Sequence, residues 1–341
     1  MSIFRALSSS YAPEIASLAL IVSLSGCGGG SPIEPANTAA SSAGVPAALN
    51  GDARAVIQSV NPTSTVAAVV PADIVFNVSP ITPVDQRTGD LQCMGTFPQL
   101  KYLNKSIYGS DAAGGTELKY GWVADPAAGA KAVTYMAIRS GDVDTAGTGS
   151  KRCEYAFTKA GLVIPWDQDF WFTTAVRTGN LNGTTDQQIV WQWHDGSSTG
   201  GLSPTLAAIV SGNSMFIQLR SNQNSSFSQA NTTIYEVYRT SNWVASAWNQ
   251  FTVEAHMNST QNGSSTVKIW LNGVQIVDRI GPFGYVYSNP ADYVKTGLYH
   301  WTGAGNTWSP AVDKREVWVK GPAMVLDRPG YTPEMINAVI N

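Results

Sequence analysis

From about Ile74 onward the chain reads as short runs of alternating apolar and polar residues with turn residues between them. Period-two alternation bounded by Gly, Asn, Asp, Ser or Pro is a strand signal. It predicts strands at Thr116–Val123, Lys131–Arg139, Arg152–Thr158 and Asp169–Arg177, the second ended by Ser140-Gly141-Asp142. Thr205–Ser211 and Ser214–Ser221 read as a hairpin around Gly212-Asn213, followed by Thr233–Thr240 and Asn249–Asn258. The clearest hairpin is Thr266–Leu271, Asn272-Gly273, Val274–Asp278, because Asn-Gly is the preferred two-residue turn. Lys295–Trp301 and Glu316–Leu326 close the series, and a short helix is expected at Pro333–Ile340. No long helical period precedes it. So many short strands predict an all-β fold, a two-sheet sandwich of the jelly-roll kind with a concave cleft, over residues 73–341.

Gln188–Asp195 carries the most informative alternation. Ile189, Trp191 and Trp193 are expected on a core face, and Gln188, Val190, Gln192 and His194 on the other. An amide pair and an imidazole suit the floor of a cleft, and a merely polar surface strand is the alternative. Lys295-Thr-Gly-Leu-Tyr-His-Trp301 places Lys295, Gly297, Tyr299 and Trp301 together, with Leu298 and His300 opposite. Glycine inside a strand marks close approach by a ligand or another backbone. Arg152, Glu154 and Ala156 share a face, with Cys153, Tyr155 and Phe157 behind; Arg152 and Glu154 read as an ion pair or as ligand contacts. Gln218 and Arg220 share a face on a further strand, and Trp301 is the better stacking platform of the cleft-side aromatics. His256 and His300 read as structural.

Composition narrows the function. Only 13% of the 341 residues are charged, Trp is plentiful at 11, and the net charge is -3. This suits a secreted glycan-handling protein and gives no footing for nucleic acid; positive charge for an anionic ligand must be local. Residues 1–26 read as a signal peptide, with Arg5 before an apolar run at Ile15–Leu24 too short to span a bilayer. Leu24-Ser25-Gly26-Cys27 resembles a bacterial lipobox, which implies lipid attachment at Cys27 and a flexible Gly/Ser/Ala/Pro tether over 27–72. The membrane is then met only through that lipid, in a bacterial cell envelope or as a secreted form, and a monomer is expected. In an oxidising compartment Cys93 and Cys153 are most simply a disulfide, with two buried thiols as the alternative. His and Cys lack zinc-ligand spacing. Asp142 and Asp144 offer carboxylates for a structural calcium, against the plainer reading of a polar turn; no cofactor is required and the metal question stays open.

Several motifs together carry a resemblance. Arg152-x-Glu154, the strand ending Gln192-Trp193-His194, Trp248 with Phe251 and Leu271-Asn272-Gly273, and Lys295-x-Gly297-x-Tyr299 occur in this order. Over residues 115–325 the chain resembles the heparin lyase I and glucuronan lyase superfamily of polysaccharide lyases. Cys153 and His300-Trp301 are local departures from the pattern. The resemblance implies a jelly roll that cleaves a uronate-containing acidic polysaccharide by β-elimination. His194 and Tyr299 would then be catalytic. Gln192, Arg152 and Lys295 would neutralise the uronate carboxylate, with Glu154, Arg220 and Trp301 as further substrate contacts. A phenol titrates near ~10, so a base at Tyr299 needs a neighbouring cation, and Lys295 on the same face is expected to supply it. Two alternatives stand beside this reading: a non-catalytic glycan-binding lipoprotein, and a jelly-roll glycoside hydrolase, which would need two flanking carboxyl groups that the scattered Glu154, Glu236, Glu254 and Glu316 do not suggest.

Overall fold

The computed structural model describes residues 68–78, 90–93, 119–129, 131–142, 149–157, 164–179, 181, 183–194, 203–222, 232–258, 264–285, 292–303 and 305–341. The expected signal peptide, the lipidation at Cys27, nearly all of the tether and Asp144 lie outside them. In chain order the strands are β1 (Ile74–Asn77), β2 (Asp90–Cys93), β3 (Tyr120–Ala124), β4 (Ala132–Arg139), β5 (Lys151–Ala156), β6 (Asp169–Thr178), β7 (Gln188–His194) and β8 (Leu206–Ser211). There follow β9 (Ser214–Asn222), β10 (Thr233–Thr240), β11 (Asn249–His256), β12 (Thr266–Leu271), β13 (Val274–Ile280), β14 (Gly284–Tyr285), β15 (Tyr293–His300) and β16 (Lys314–Leu326). Among the described residues a 3-10 turn at Pro71–Asp73 precedes β1, and an α-helix, α1 (Pro333–Ala338), follows β16. Thr332 caps it, accepting from the Met335 N–H, and proline at its start costs no hydrogen bond there.

The strands form two sheets. The first runs β13-β12-β11-β6-β16-β4-β3, with β1 also on β16. The second runs β10-β9-β8-β7-β15-β5-β2, with the short β14 added in parallel to β9. All other pairings are antiparallel. The sheets pack face to face as a sandwich. Rings interlock across the gap: Phe172 on Trp191, Trp191 on Phe251 and Phe170 on Trp193, with centroids 5.5–5.6 Å apart. Trp191 and Trp193 are fully buried. Each removes roughly 200 Å² from water, on the order of 5 kcal/mol at about 25 cal/mol/Å². A smaller cluster of Trp171, Val325, Met335 and Ile336 seats α1 on the outer face of the first sheet.

The Asn272-Gly273 turn adopts the expected left-handed pair, φ 52° and 80°, which joins β12 to β13. Cys93 and Cys153 stand directly opposite each other on β2 and β5 and are joined as a disulfide. Simple alternation fails in β7, where the departure bears on the groove. A bulge in β7 lets both Val190 and Trp191 enter the core and turns Ile189 to the other side, where it packs near Tyr299 and Trp301. Ile189 is therefore a groove residue and Val190 a core residue, the reverse of the sequence expectation. One extra residue in a strand flips every side chain on one side of it.

Candidate active site

The exposed face of the second sheet is built from residues that register sets side by side. Gln192 on β7 lies between Lys295 on β15 and Ala207 on β8, and Ala207 lies opposite Gln218 on β9. On the other flank Tyr299 lies opposite Arg152, and Gly297 opposite Glu154. Directly opposite residues share a face. One face thus carries Arg152 and Glu154, then Tyr293, Lys295, Gly297 and Tyr299, then Ile189, Gln192 and His194, then Gln218 and Arg220. Trp301 continues the row past Tyr299, packed with Ile189, Ile209 and Phe216. The proposed residues are thereby gathered on one groove from four strands, β5, β7, β9 and β15, and the turn after β15.

Gly297 lets the groove form. A Cβ there would sit 2.4 Å from the Cys153 carbonyl oxygen and 2.5 Å from Glu154 Cα, and its φ is 150°. The β5 backbone passes where a side chain would be, so only glycine fits.

Glu154 is the electrostatic centre of the floor. It is 2% exposed, and Lys295 Nζ lies 2.8 Å from its Oε1. The Gln192 amide Nε2 donates to both carboxylate oxygens, at 3.3 and 3.2 Å. Burial pulls the Lys295 ammonium below its usual range; the Glu154 carboxylate opposes this, and the Arg152 charge adds to it. Lys295 was expected to serve Tyr299, and two neighbours other than that phenol stand beside it. Lys295 is paired with Glu154, and its Nζ also lies 5.6 Å from the Tyr293 ring centroid. The cation on Tyr299 is Arg152, whose guanidinium carbon lies 4.4 Å from the ring centroid. Arg152 has no carboxylate partner among the described residues, and its Nε is buried without a hydrogen bond. Glu154, an anion, holds Lys295 and Gln192 in place; it cannot itself neutralise an acidic ligand.

His194 pairs across strands with Tyr293, and the two rings stand 5.5 Å apart at 32°. Tyr293 was missed because the strand was taken to begin at Lys295. Its signal was present, since Tyr293 precedes Lys295 by one pleat repeat on the same face. Tyr299 stands opposite Ile189, so the backbones of His194 and Tyr299 are about 15 Å apart along the groove, at ~3.3 Å per residue with one bulge. Arg220 donates to the Pro204 carbonyl (3.0 Å) and to Gln218 Oε1 (2.9 Å), with no carboxylate partner among the described residues.

Behind the groove, sequence reading did not foresee a second buried charge cluster. Asp186 accepts from Arg315, which is fully buried, and lies 2.9 Å from His300 Nε2. Trp308 closes it, with the Arg315 guanidinium 3.9 Å from its ring centroid. His300 is therefore structural, as expected from its face; His256 likewise meets Asp169 at 2.8 Å. Asp142 is occupied, taking Lys119 Nζ on one oxygen and the Arg139 N–H on the other, each at 2.6 Å. Among the described residues no three His, Cys, Asp or Glu side chains converge as a metal site would.

Two carboxylates with described side chains lie on the groove face, Glu154 and Glu236. They stand five strand spacings apart, about 24 Å at ~4.8 Å each, and Glu236 is held by Arg239. Glycoside hydrolysis needs carboxyl groups roughly 5–9.5 Å apart, so this pair cannot perform it.

Comparison with known proteins agrees with this. No curated protein matches the sequence significantly. Among solved structures, the chain resembles the endo-β-1,4-glucuronan lyase of the fungus Trichoderma reesei at 16% identity, covering 68% of this chain and 96% of that one, with a TM-score of 0.51. An alginate lyase from Pseudomonas aeruginosa (15% identity, 70% and 98% covered, TM-score 0.43) and one from Corynebacterium sp. (13%, 72% and 97%, 0.44) also match. The first likeness supports the jelly-roll fold. The family described as Polysaccharide lyase matches residues 92–321, which include every strand of the groove except the start of β2. The chain belongs to the polysaccharide lyase family.

Proposed function

We propose that this lyase cleaves a uronate-containing polysaccharide by β-elimination, with His194 and Tyr299 as the proton-transfer groups. The observation that carries the proposal is Arg152: a guanidinium on the face of Tyr299, in the groove, with no carboxylate of its own among the described residues. The reaction removes the C5 proton beside a carboxylate, forms the C4–C5 double bond, breaks the bond from C4 to the leaving oxygen, and returns a proton to that oxygen. Negative charge builds on the carboxylate as the proton leaves. Fixed donors and cations aimed there lower the barrier. Among the described residues Arg152 and Arg220 are groove cations not matched by a carboxylate, while Gln192 and Lys295 are held by Glu154 as a rigid polar floor.

In this reading the sugar ring lies between Tyr299 and His194, which address it from the two ends of the groove segment. Tyr299 is the stronger candidate for the reacting phenol than Tyr293, because the cation beside Tyr293 is already answered by Glu154. Tyr293 positions the His194 imidazole through the ring contact. Trp301 extends the groove as a stacking surface. The test is a panel of acidic polysaccharides, glucuronan, alginate, heparin-like and hyaluronan-like, followed by ultraviolet absorbance of the conjugated product. At least one is expected to give that absorbance. New reducing ends without it on every substrate would reject elimination.

We further propose that the chain is held to a bacterial envelope through lipidated Cys27. Support comes from the Leu24-Ser25-Gly26-Cys27 motif after an apolar run. A Cys27→Ser chain should move from the membrane to the soluble fraction; unchanged partitioning would reject the anchor.

A further inference from the structure

Away from the groove, a cavity of about 720 Å³ opens where β6 and β16 end against the connection from β10 to β11. Its walls include Arg177, Glu316 and Trp318 from the first sheet, Trp243 and Asn242 from the connection, and Asn213 from the β8–β9 turn. Arg177 and Trp318 stand directly opposite each other on β6 and β16. They occupy the outer face of the first sheet, while the groove lies on the second. The volume falls within the roughly 300–1,000 Å³ of small-molecule sites.

The walls have a definite chemistry. Trp243 is a fixed side, 4% exposed, with its indole N–H given to Thr178 Oγ1 at 3.2 Å. Trp318 is half-buried, braced by Tyr135 with ring centroids 5.5 Å apart. The two charges differ in their state. Glu316 is answered by Lys314 Nζ at 2.7 Å and accepts from the Tyr135 hydroxyl at 2.5 Å. Arg177 is half-buried and makes no ion pair or side-chain hydrogen bond among the described residues. The cavity therefore offers one uncommitted guanidinium, indole surface, and amides from Asn213 and Asn242.

We infer that this cavity is a second saccharide site, one that takes an acidic sugar unit through Arg177 and packs its ring against Trp318. A guanidinium fork matches a carboxylate with two parallel hydrogen bonds. Indole surface suits the apolar face of a pyranose, and the amides suit its hydroxyls. The identity of the acidic sugar rests on the uronate reading of the groove. A second grip on a long chain raises the local concentration of the polymer at the groove, so its effect falls on polymers and not on short fragments.

The test uses the full chain carrying His194→Ala, so that saccharide is bound without turnover, titrated calorimetrically with a defined acidic oligosaccharide of the class that the active enzyme cleaves. Two binding events per chain are expected, and adding Arg177→Gln should abolish one of them. In the otherwise unaltered enzyme, Arg177→Gln should raise KM on polymer by about 3–10-fold while kcat on short oligosaccharides stays unchanged. Trp318→Leu should act in the same direction, and a circular dichroism spectrum like the parent's separates this from misfolding. One binding event that Arg177→Gln leaves intact would overturn the second site. A neutral oligosaccharide bound equally well and equally lost would overturn the acidic assignment. If no acidic saccharide binds at either place, the uronate reading of the groove fails along with it.

Discussion

The Arg152 guanidinium lies 4.4 Å from the centre of the Tyr299 ring, across the β5–β15 pair. This single contact separates two phenols that the sequence pattern makes equivalent. Tyr293 and Tyr299 share a face and a strand, but among the described residues only Tyr299 has a cation that no carboxylate answers. Tyr299→Phe should therefore lower kcat by at least ~10²-fold, in the range of a lost general acid or base. Tyr293→Phe, which keeps the ring against His194, should cost less than ~10-fold by the same measure. Arg152→Lys should be a poor substitute, since an ammonium cannot lie flat on the ring and offer a fork to a carboxylate.

Glu154 and Lys295 make a second prediction. Both are nearly fully buried and 2.8 Å apart. Glu154→Gln leaves a buried ammonium without its carboxylate, which should cost about 3–5 kcal/mol in denaturant unfolding. Replacing both together, Glu154→Leu with Lys295→Met, should recover much of that stability but not the activity, because Gln192 then loses its acceptor. Equal loss in the single and double variants would show that the pair does not act as a unit.

Gly297→Ala should be among the most damaging small substitutions. The added methyl meets main-chain atoms of β5 at 2.4 and 2.5 Å, and backbone cannot step aside as a flexible side chain can. A loss of about 3 kcal/mol or more is expected, with activity falling in parallel because β5 carries Arg152 and Glu154. A thermal midpoint equal to the parent's would contradict this close approach.

The Asp186 cluster sets a pH dependence. Burial works against its ionisation, but His300 and Arg315 outweigh burial and hold the carboxyl below its usual value of 3.8. A depressed carboxyl contributes stability above the unfolded value and loses it as pH falls through the folded one. Unfolding free energy should thus drop on acidification below pH ~4, and Asp186→Asn should remove part of that slope. The same variant leaves Arg315 buried and uncompensated, which should cost about 3–5 kcal/mol at neutral pH. An unchanged acid slope would assign it to other carboxylates.

The strands were legible because burial on one face writes itself as alternation, and the hairpin of β12 and β13 because Asn-Gly permits two left-handed residues. The bulge in β7 was not, since an inserted residue leaves no mark on composition; only the pairing with β8 reveals that Ile189 and Val190 exchange sides. The gathering of Arg152, Gln192, Lys295 and Tyr299 was expected from a family resemblance, but their partners were not. Whether Lys295 meets Glu154 or a ligand depends on the register of β5 against β15, strands separated by more than half of the folded chain. The Asp186–Arg315 pair left no mark in the sequence for the same reason: the two residues meet only through tertiary packing.

The central claim is that Tyr299 and His194 act on one uronate ring in an elimination. The most direct check is the rate of formation of the ultraviolet-absorbing unsaturated product from the preferred acidic polysaccharide, compared among the parent, Tyr299→Phe and His194→Ala proteins of equal folded content. The account predicts clear absorbance from the parent and at least ~10²-fold slower formation in each variant. Parent-like rates in both variants, or cleavage that yields no absorbance at all, would contradict it.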